Sequence, residues 1–254
     1  MESLEDIPVH KSGRLDRSNE LFIVQAVFVI LAGVCLLIRG YIKCFIIKVN
    51  LLDDYLLYGS MVGYIVYSAV VIDGSYNGAI GKHPSLHFST DTAARSLRTW
   101  YITMLLYPPI TLAIRASVCV LLFRINTKKI YSWYIWIILI ANALFSVAFF
   151  FVLMFQCSPP QYFWTKVYGD SGHCYDRSIV DHSVTVYGVL SALSDWSLGL
   201  LPIAILWSVQ INLRTKVAIG GLLGLGVIAG IAPVVRIVYL TNLQPGLRFL
   251  YEAT

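Results

Sequence analysis

Three charged side chains lie inside long apolar segments of the sequence, where a charge is costly. Arg115, Asp195 and Arg236 are the only Lys, Arg, Asp or Glu residues in six such segments. An ionised residue at the centre of a membrane helix costs at least about 2.5–3.5 kcal/mol, so each needs a partner or a water-filled cavity. We take these three residues as candidates for lining a ligand cavity, with a purely structural ion pair as the alternative.

The heights of these charges in the predicted helices indicate which of them pair. At about 1.5 Å per helical residue, Arg115 lies ~14 Å, Asp195 ~24 Å and Arg236 ~30 Å from the predicted cytoplasmic ends of their segments. We therefore expect Asp195 to pair first with Arg236. Arg236 can also extend its side chain outward to the membrane interface, which keeps the structural alternative open.

Two of the five cysteines, Cys157 and Cys174, share one predicted outer loop. If that loop faces an oxidising compartment, the two thiols can form a disulfide. The bond would close 16 intervening residues, which is worth about 3 kcal/mol by loss of chain entropy in the unfolded state. We predict this disulfide and expect it to shape the loop.

Motifs for metal binding and for common hydrolases are weak or missing. His83 and His87 have helical spacing, but Pro84 between them argues against one regular helix. The sequence has no GxSxG, Walker or HExxH motif. Asp53 and Asp54 open an apolar segment, where carboxylates favour a helix N-terminus. We predict no metal, no cofactor and no catalytic residue.

The elements that position these residues are predicted to be membrane helices. The chain is 57% hydrophobic and 13% charged, about half the charge of a soluble domain at roughly 25%. About 20 apolar residues cross a bilayer. We predict an all-α polytopic membrane protein with six transmembrane helices and the lipid bilayer as its partner. The predicted spans are residues 21–38, 55–72, 100–123, 133–156, 184–211 and 217–240. They form one domain at 21–240, between an N-terminal segment at 1–20 and a tail at 241–254.

Basic residues predict the orientation of these spans. Eight Lys or Arg lie among the 30 residues of segments 39–54, 124–132 and 212–216, against nine among the 88 residues of the other set. The denser set is assigned to the cytoplasm, so the N-terminus faces the exterior or a lumen. This placement explains the net charge of +5 and excludes nucleic acid as the partner. Aromatic residues at span ends, among them Trp100, Tyr101 and Trp133, are expected to anchor at the interface.

A series of short motifs runs along residues 20–240 in a specific order. They are Arg39-Gly-Tyr41, Asp53-Asp54, Gly78-Ala-Ile-Gly-Lys-His83, Ser117-Val-Cys-Val-Leu-Leu-Phe-Arg124, Cys157-Ser-Pro-Pro-Gln-Tyr-Phe-Trp164, Gly172-His-Cys174, and Asp195 with Leu201-Pro202, Trp207, Lys216, Gly224-Leu-Gly226 and Arg236. In this order they resemble the fungal rhodopsin-domain family. That family includes receptor-like proteins of plant-pathogenic fungi and membrane proteins of secondary-metabolite clusters, including satratoxin clusters. The resemblance implies a seven-helix, receptor-like bundle.

The chain departs from the family pattern in two places. Arg115 stands where the family usually has Lys, which keeps the charge and changes its geometry. After Arg236 the apolar sequence soon ends, so we expect a bundle truncated after its sixth helix. Retinal attachment needs a buried lysine, and none lies within the six predicted spans. We therefore expect a protein that does not respond to light.

The first hypothesis for function is a receptor-like membrane protein without enzymatic activity, tied to secondary metabolism or to sensing of a host or environment. It would reside in the plasma membrane or an endomembrane and bind a small lipophilic ligand. The alternative is a membrane-embedded enzyme or accessory factor acting on a lipophilic pathway intermediate, with Asp195 as the proton donor. A transporter is disfavoured because the sequence lacks paired broken helices in matching halves.

Overall fold

The chain is a bundle of long helices, seen in a computed structural model that describes residues 18–47, 52–78, 89–126 and 128–207. The long helices are α1 (Ser18–Tyr41), α2 (Leu52–Tyr76), α3 (Thr90–Ile125), α4 (Lys129–Met154) and α6 (Arg177–Trp207). Each is long and apolar enough to cross a membrane. The predicted all-α polytopic membrane fold is confirmed. The sixth predicted span, residues 217–240, lies outside the described residues.

Short elements fill the connections at both ends of the bundle. A π-helical turn, Ile42–Ile47, follows α1. Between α4 and α6 lie strand β1 (Cys157–Ser158), a four-residue helix α5 (Tyr162–Thr165), a 3-10 turn (Lys166–Tyr168) and strand β2 (His173–Cys174). The two strands pair antiparallel, with Cys157 opposite Cys174. We call the end that carries this small structure the cap end, and the opposite end the far end.

The helices extend beyond the predicted apolar spans, most of all α3. This helix begins at Thr90, ten residues before the predicted start, and its 36 residues measure about 54 Å. Ser89 caps it, because its hydroxyl accepts a hydrogen bond from the Thr92 amide at 3.3 Å. Asp91 in the first turn favours the same helix end. Hydropathy detects only the apolar centre of a helix, so the prediction from hydropathy underestimated the length of α3.

Helix α3 lies at the centre of the described bundle. It packs between α2 and α4, while α1 packs on α2, and α6 packs against α4 and α3. A Cβ atom on Gly63 of α2 would lie 2.9 Å from Ile110 of α3, so glycine permits the close approach of these two helices. The helix continues through Pro108 and Pro109.

Apolar packing holds α3, α4 and α6 together at two levels. Near the far end, a fully buried cluster contains Cys119, Leu122, Ile135, Leu198 and Leu201. Near the cap end, the ring of Tyr187 stacks on Phe149 with centroids 4.3 Å apart. Large apolar side chains on the outer faces remain exposed, as expected for surfaces in contact with lipid tails.

Candidate functional site

A group of polar side chains lies between these two apolar levels. We define the central polar cluster as Arg115 of α3, Asn142 of α4, and Ser191, Ser194 and Asp195 of α6. The Nε of Arg115 donates to Oδ1 of Asp195 at 2.8 Å, and its Nη2 donates to Oδ2 at 3.0 Å. Nη2 also donates to the Ser191 hydroxyl. One guanidinium therefore makes a bidentate ion pair, the strong geometry for arginine and carboxylate.

Helix α4 joins this cluster through one amide. Nη1 of Arg115 donates to Oδ1 of Asn142 at 3.4 Å. The Asn142 amide nitrogen in turn donates to the Ser194 hydroxyl at 3.0 Å and to the Ile138 carbonyl at 2.8 Å. Three helices are thus connected by hydrogen bonds at one height, which fixes the rotation of each helix about its axis.

The two charged groups of the cluster differ in accessibility. The side chain of Arg115 is 7% exposed, whereas that of Asp195 is 31% exposed. A carboxylate oxygen has room for a second hydrogen bond beyond the one that Arg115 supplies. Asp195 is therefore the more accessible half of the pair.

In the described part of the chain Asp195 pairs with Arg115, and its predicted pairing with Arg236 stays a prediction. Thr111 contacts Tyr187 and Arg115 contacts Asp195, so α3 and α6 run in the same direction. The contacts of Thr111 with Tyr187 and of Arg115 with Ser191 share one offset of 76 residues, so Asp195 lies one turn beyond Ser191, within reach of the long arginine side chain. Counting along helix axes ignores this reach and the tilt of the helices. Arg236 itself lies outside the described residues.

A second group of charges lies at the far end, and the sequence interpretation missed it. We define the four-charge cluster as Arg39, Lys43, Asp53 and Asp54. Arg39 donates to Asp53 at 2.7 Å and to Asp54 at 3.1 Å, and Lys43 donates to Asp54 at 2.8 Å. The Ser117 hydroxyl donates to the Asp53 carbonyl at 2.7 Å, which ties the cluster to α3.

The four-charge cluster is almost completely buried at its acidic side. The side chains of Asp53 and Asp54 are 2% and 1% exposed. The π-helical turn after α1 carries Lys43 into this position, whereas the prediction counted it only among the basic residues of the cytoplasmic segment 39–54. The signal in the sequence was a pair of cations four residues apart, Arg39 and Lys43, followed by two adjacent acids.

The cap end is closed by an aromatic layer. Trp100 packs with Leu21, Met104 and Phe163, and Tyr101 donates to the Met154 carbonyl at 2.9 Å. Trp100 is 8% exposed and Tyr101 7%. Both residues thus have partners on α1, α4 and α5, and their anchoring at the membrane interface stays a prediction.

A hydrogen bond to a charged group adds to the aromatic packing between α3 and the connection from α4 to α6. Tyr168 donates to Oδ1 of Asp91 at 2.7 Å. This hydrogen bond raises the pKa of the Tyr168 hydroxyl, since the carboxylate favours its protonated form.

The predicted disulfide between Cys157 and Cys174 is confirmed, with a sequence separation of 17 between its two residues. It joins the ends of the strand pair β1–β2. We predict that Cys157→Ser with Cys174→Ser destabilises the cap by about 3 kcal/mol, because the loop regains its freedom in the unfolded chain. Thermal unfolding of the purified protein and limited proteolysis of the cap measure this loss. Cys35→Ser, at an exposed free thiol, is the matched control, and equal unfolding of all three proteins would contradict the prediction.

Metal ligands are not gathered in the described part of the chain. Among those residues, no group of three or more His, Cys, Asp or Glu side chains is placed to hold an ion. His83 and His87 lie outside them. The chemistry available in the central polar cluster is thus hydrogen bonding and charge pairing.

Comparison with known proteins finds one family and two curated relatives. The family described as "Fungal rhodopsin domain" matches residues 21–248. A "SAT4 family membrane protein" of Emericella nidulans is 26% identical over 138 residues, which cover 53% of this chain and 35% of the relative. "Satratoxin biosynthesis SC1 cluster protein 4" of Stachybotrys chartarum is 29% identical over 117 residues, covering 46% and 41%. The chain thus aligns with less than half the length of either relative. No solved structure matches.

Proposed function

This chain belongs to the fungal rhodopsin domain family, and from that premise we propose that it is a receptor-like membrane protein. In this proposal a small lipophilic ligand is sensed at the central polar cluster, beneath the cap. The ligand dissolves in the bilayer, enters the bundle and donates a hydrogen bond to Asp195.

The observation that carries the proposal is the ion pair between Arg115 and Asp195 inside the bundle. Charged groups in membrane helices are costly, and they mark sites of ligand binding or switching more often than other residues do. The apolar cluster between α3, α4 and α6 already packs these helices together. A bidentate ion pair beside it adds a polar centre that packing alone does not require.

The geometry also supplies a way for binding to change the bundle. Among the described residues, Asp195 holds α6 to α3 through Arg115. A ligand donor that competes for the carboxylate weakens the hold of Arg115, and α3 can then move relative to α6. A ligand shifts such an equilibrium only by its difference in affinity for the two arrangements.

The context proposed for this sensing is secondary metabolism or the detection of a host or environment. One relative bears the name of a satratoxin biosynthesis cluster protein, which supports the first of these. The basic segments favour an N-terminus outside or in a lumen, and in this proposal the cap end faces the exterior or lumen of a plasma membrane or endomembrane.

The test compares three strains of the organism that encodes the chain: wild type, a deletion, and Asp195→Asn. Transcript profiles and metabolite profiles are recorded from each strain. We expect the deletion and Asp195→Asn to lose the same transcript response, with no single pathway intermediate building up. Accumulation of one defined intermediate in both strains would contradict the receptor and favour a membrane-embedded enzyme that uses Asp195.

A further inference from the structure

A groove of about 310 Å³ lies between α1 and α2, apart from the central polar cluster. Its walls come from Cys35 and Leu36 on one helix and from Met61 and Tyr64 on the other, and Ile114 of α3 forms part of its floor. Its volume is at the lower end of the range of about 300–1,000 Å³ found for ligand sites. All three helices are candidate membrane spans, so the groove lies at the depth of the bilayer.

Close contacts between α1 and α2 flank this groove. A Cβ atom on Gly33 would lie 3.7 Å from the end of the Met61 side chain, and one on Gly40 would lie 3.2 Å from the Tyr58 hydroxyl. The lining positions of α1 lie between these two glycines or next to them. Ile114 remains 40% exposed although α2 packs on α3. The groove therefore penetrates the helix pair and reaches the third helix.

The end of the groove nearest the far end carries a cation. Arg39 lines it there and is 31% exposed, whereas its partners Asp53 and Asp54 are 2% and 1% exposed. The accessible charge at this end is thus positive, although the cluster as a whole is neutral. Among the contacts of the described residues, Nε and Nη2 of Arg39 bind the carboxylates, and Nη1 donates no hydrogen bond.

We propose that this groove binds an anionic phospholipid, with one acyl chain against Cys35, Leu36 and Met61 and the phosphate at Arg39. The apolar walls match a hydrocarbon chain, because no water is present at that depth. Arginine suits phosphate, since its planar guanidinium presents several donors. Arg39 lies near the end of α1, the level at which a head group begins.

A photoactivatable lipid tests this assignment on the purified full chain in bilayer nanodiscs. The probe is a phosphatidylserine with a diazirine in its acyl chain, diluted in phosphatidylcholine, and labelled peptides are mapped by mass spectrometry. We expect labelling to concentrate on α1 and α2. Cys35→Phe fills the groove and should reduce the labelling of α1 and α2 to the level of the other lipid-facing helices. Val34→Phe, at an exposed neighbouring position outside the groove, should leave the labelling unchanged.

Competition with unlabelled lipids tests the head group. Phosphatidylserine should displace the probe about fivefold better than phosphatidylcholine with the same chains, the effect of one basic residue near the surface. Arg39→Gln should remove this preference and keep the labelling. Because Arg39 also holds two buried acids, Cys35→Phe provides the test that leaves the ion pairs intact. Even labelling of all outward helices, or equal competition by the two lipids, would overturn the proposal.

Discussion

Asp195→Ala is expected to destabilise the folded protein by about 3 kcal/mol. The substitution leaves the guanidinium of Arg115 buried without its counter-ion, and removal of one partner from a buried pair costs about 3–5 kcal/mol. The low end applies because the Asp195 side chain is 31% exposed, which lessens the charge interaction. Ser191 and Asn142 still accept hydrogen bonds from Arg115 but carry no charge.

Thermal unfolding followed with a thiol-reactive dye measures this loss. Cys119 is buried in α3 and reacts only when the bundle opens, provided that Cys35 and Cys44 have been changed to serine. Asp170→Ala, which removes an exposed carboxylate in the connection between α4 and α6, is the control and should have little effect. Equal unfolding temperatures for Asp195→Ala and the control would show that the ion pair does not hold the bundle together.

Asp54→Ala is expected to have an equal or larger effect, about 3–5 kcal/mol. Asp54 is 1% exposed and contacts both Arg39 and Lys43. Its removal leaves two cations for Asp53 alone, and the 3.6 Å contact of Lys43 with Asp53 is too long to replace the lost hydrogen bond.

The matched control for this change is Asp73→Ala on the same helix. Asp73 is exposed and binds Asn77, so its loss should be small. The paired change Lys43→Met with Asp54→Leu should recover much of the stability, because it leaves the pair of Arg39 and Asp53 intact. If Asp54→Ala unfolds at the same temperature as Asp73→Ala, the four-charge cluster does not stabilise the far end.

The sequence was sufficient to predict the membrane fold and the disulfide. In lipid, the backbone N–H and C=O groups of a long uncharged segment find hydrogen-bond partners when the segment is helical. The two cysteines lie in one outer loop, so each had the other as a partner. The ends of the helices were harder to predict from the sequence. The first turns of α3 carry Arg95 and Arg98 on exposed faces, so they lower the mean hydropathy although the Ser89 cap starts the helix there.

The sequence identified Arg115 and Asp195 of the candidate site but did not predict that they contact each other. Arg115 and Asp195 were recognised because a charge inside an apolar run is unusual. The two residues are 80 positions apart in the sequence. Their pairing depends on the tilt and rotation of α3 and α6, and packing between helices sets this tilt and rotation. The four-charge cluster was missed for a different reason. Arg39 and Lys43 were interpreted only as basic residues that set the membrane orientation. Asp53 and Asp54 were interpreted only as acids that favour a helix N-terminus. The two pairs lie on either side of one short connection, and an ion pair between them was not considered.

The most direct test of a ligand-sensing ion pair separates its function from its role in stability. Arg115→Met with Asp195→Leu replaces both charges by apolar side chains, so the double variant should unfold at or above the wild-type temperature. The decisive measurement is the transcript response of a strain that carries this stable double variant. We predict that the protein is present at the wild-type level and that the response is lost, as in the deletion. A normal response with both charges absent would show that the pair is only structural and would contradict the proposed function.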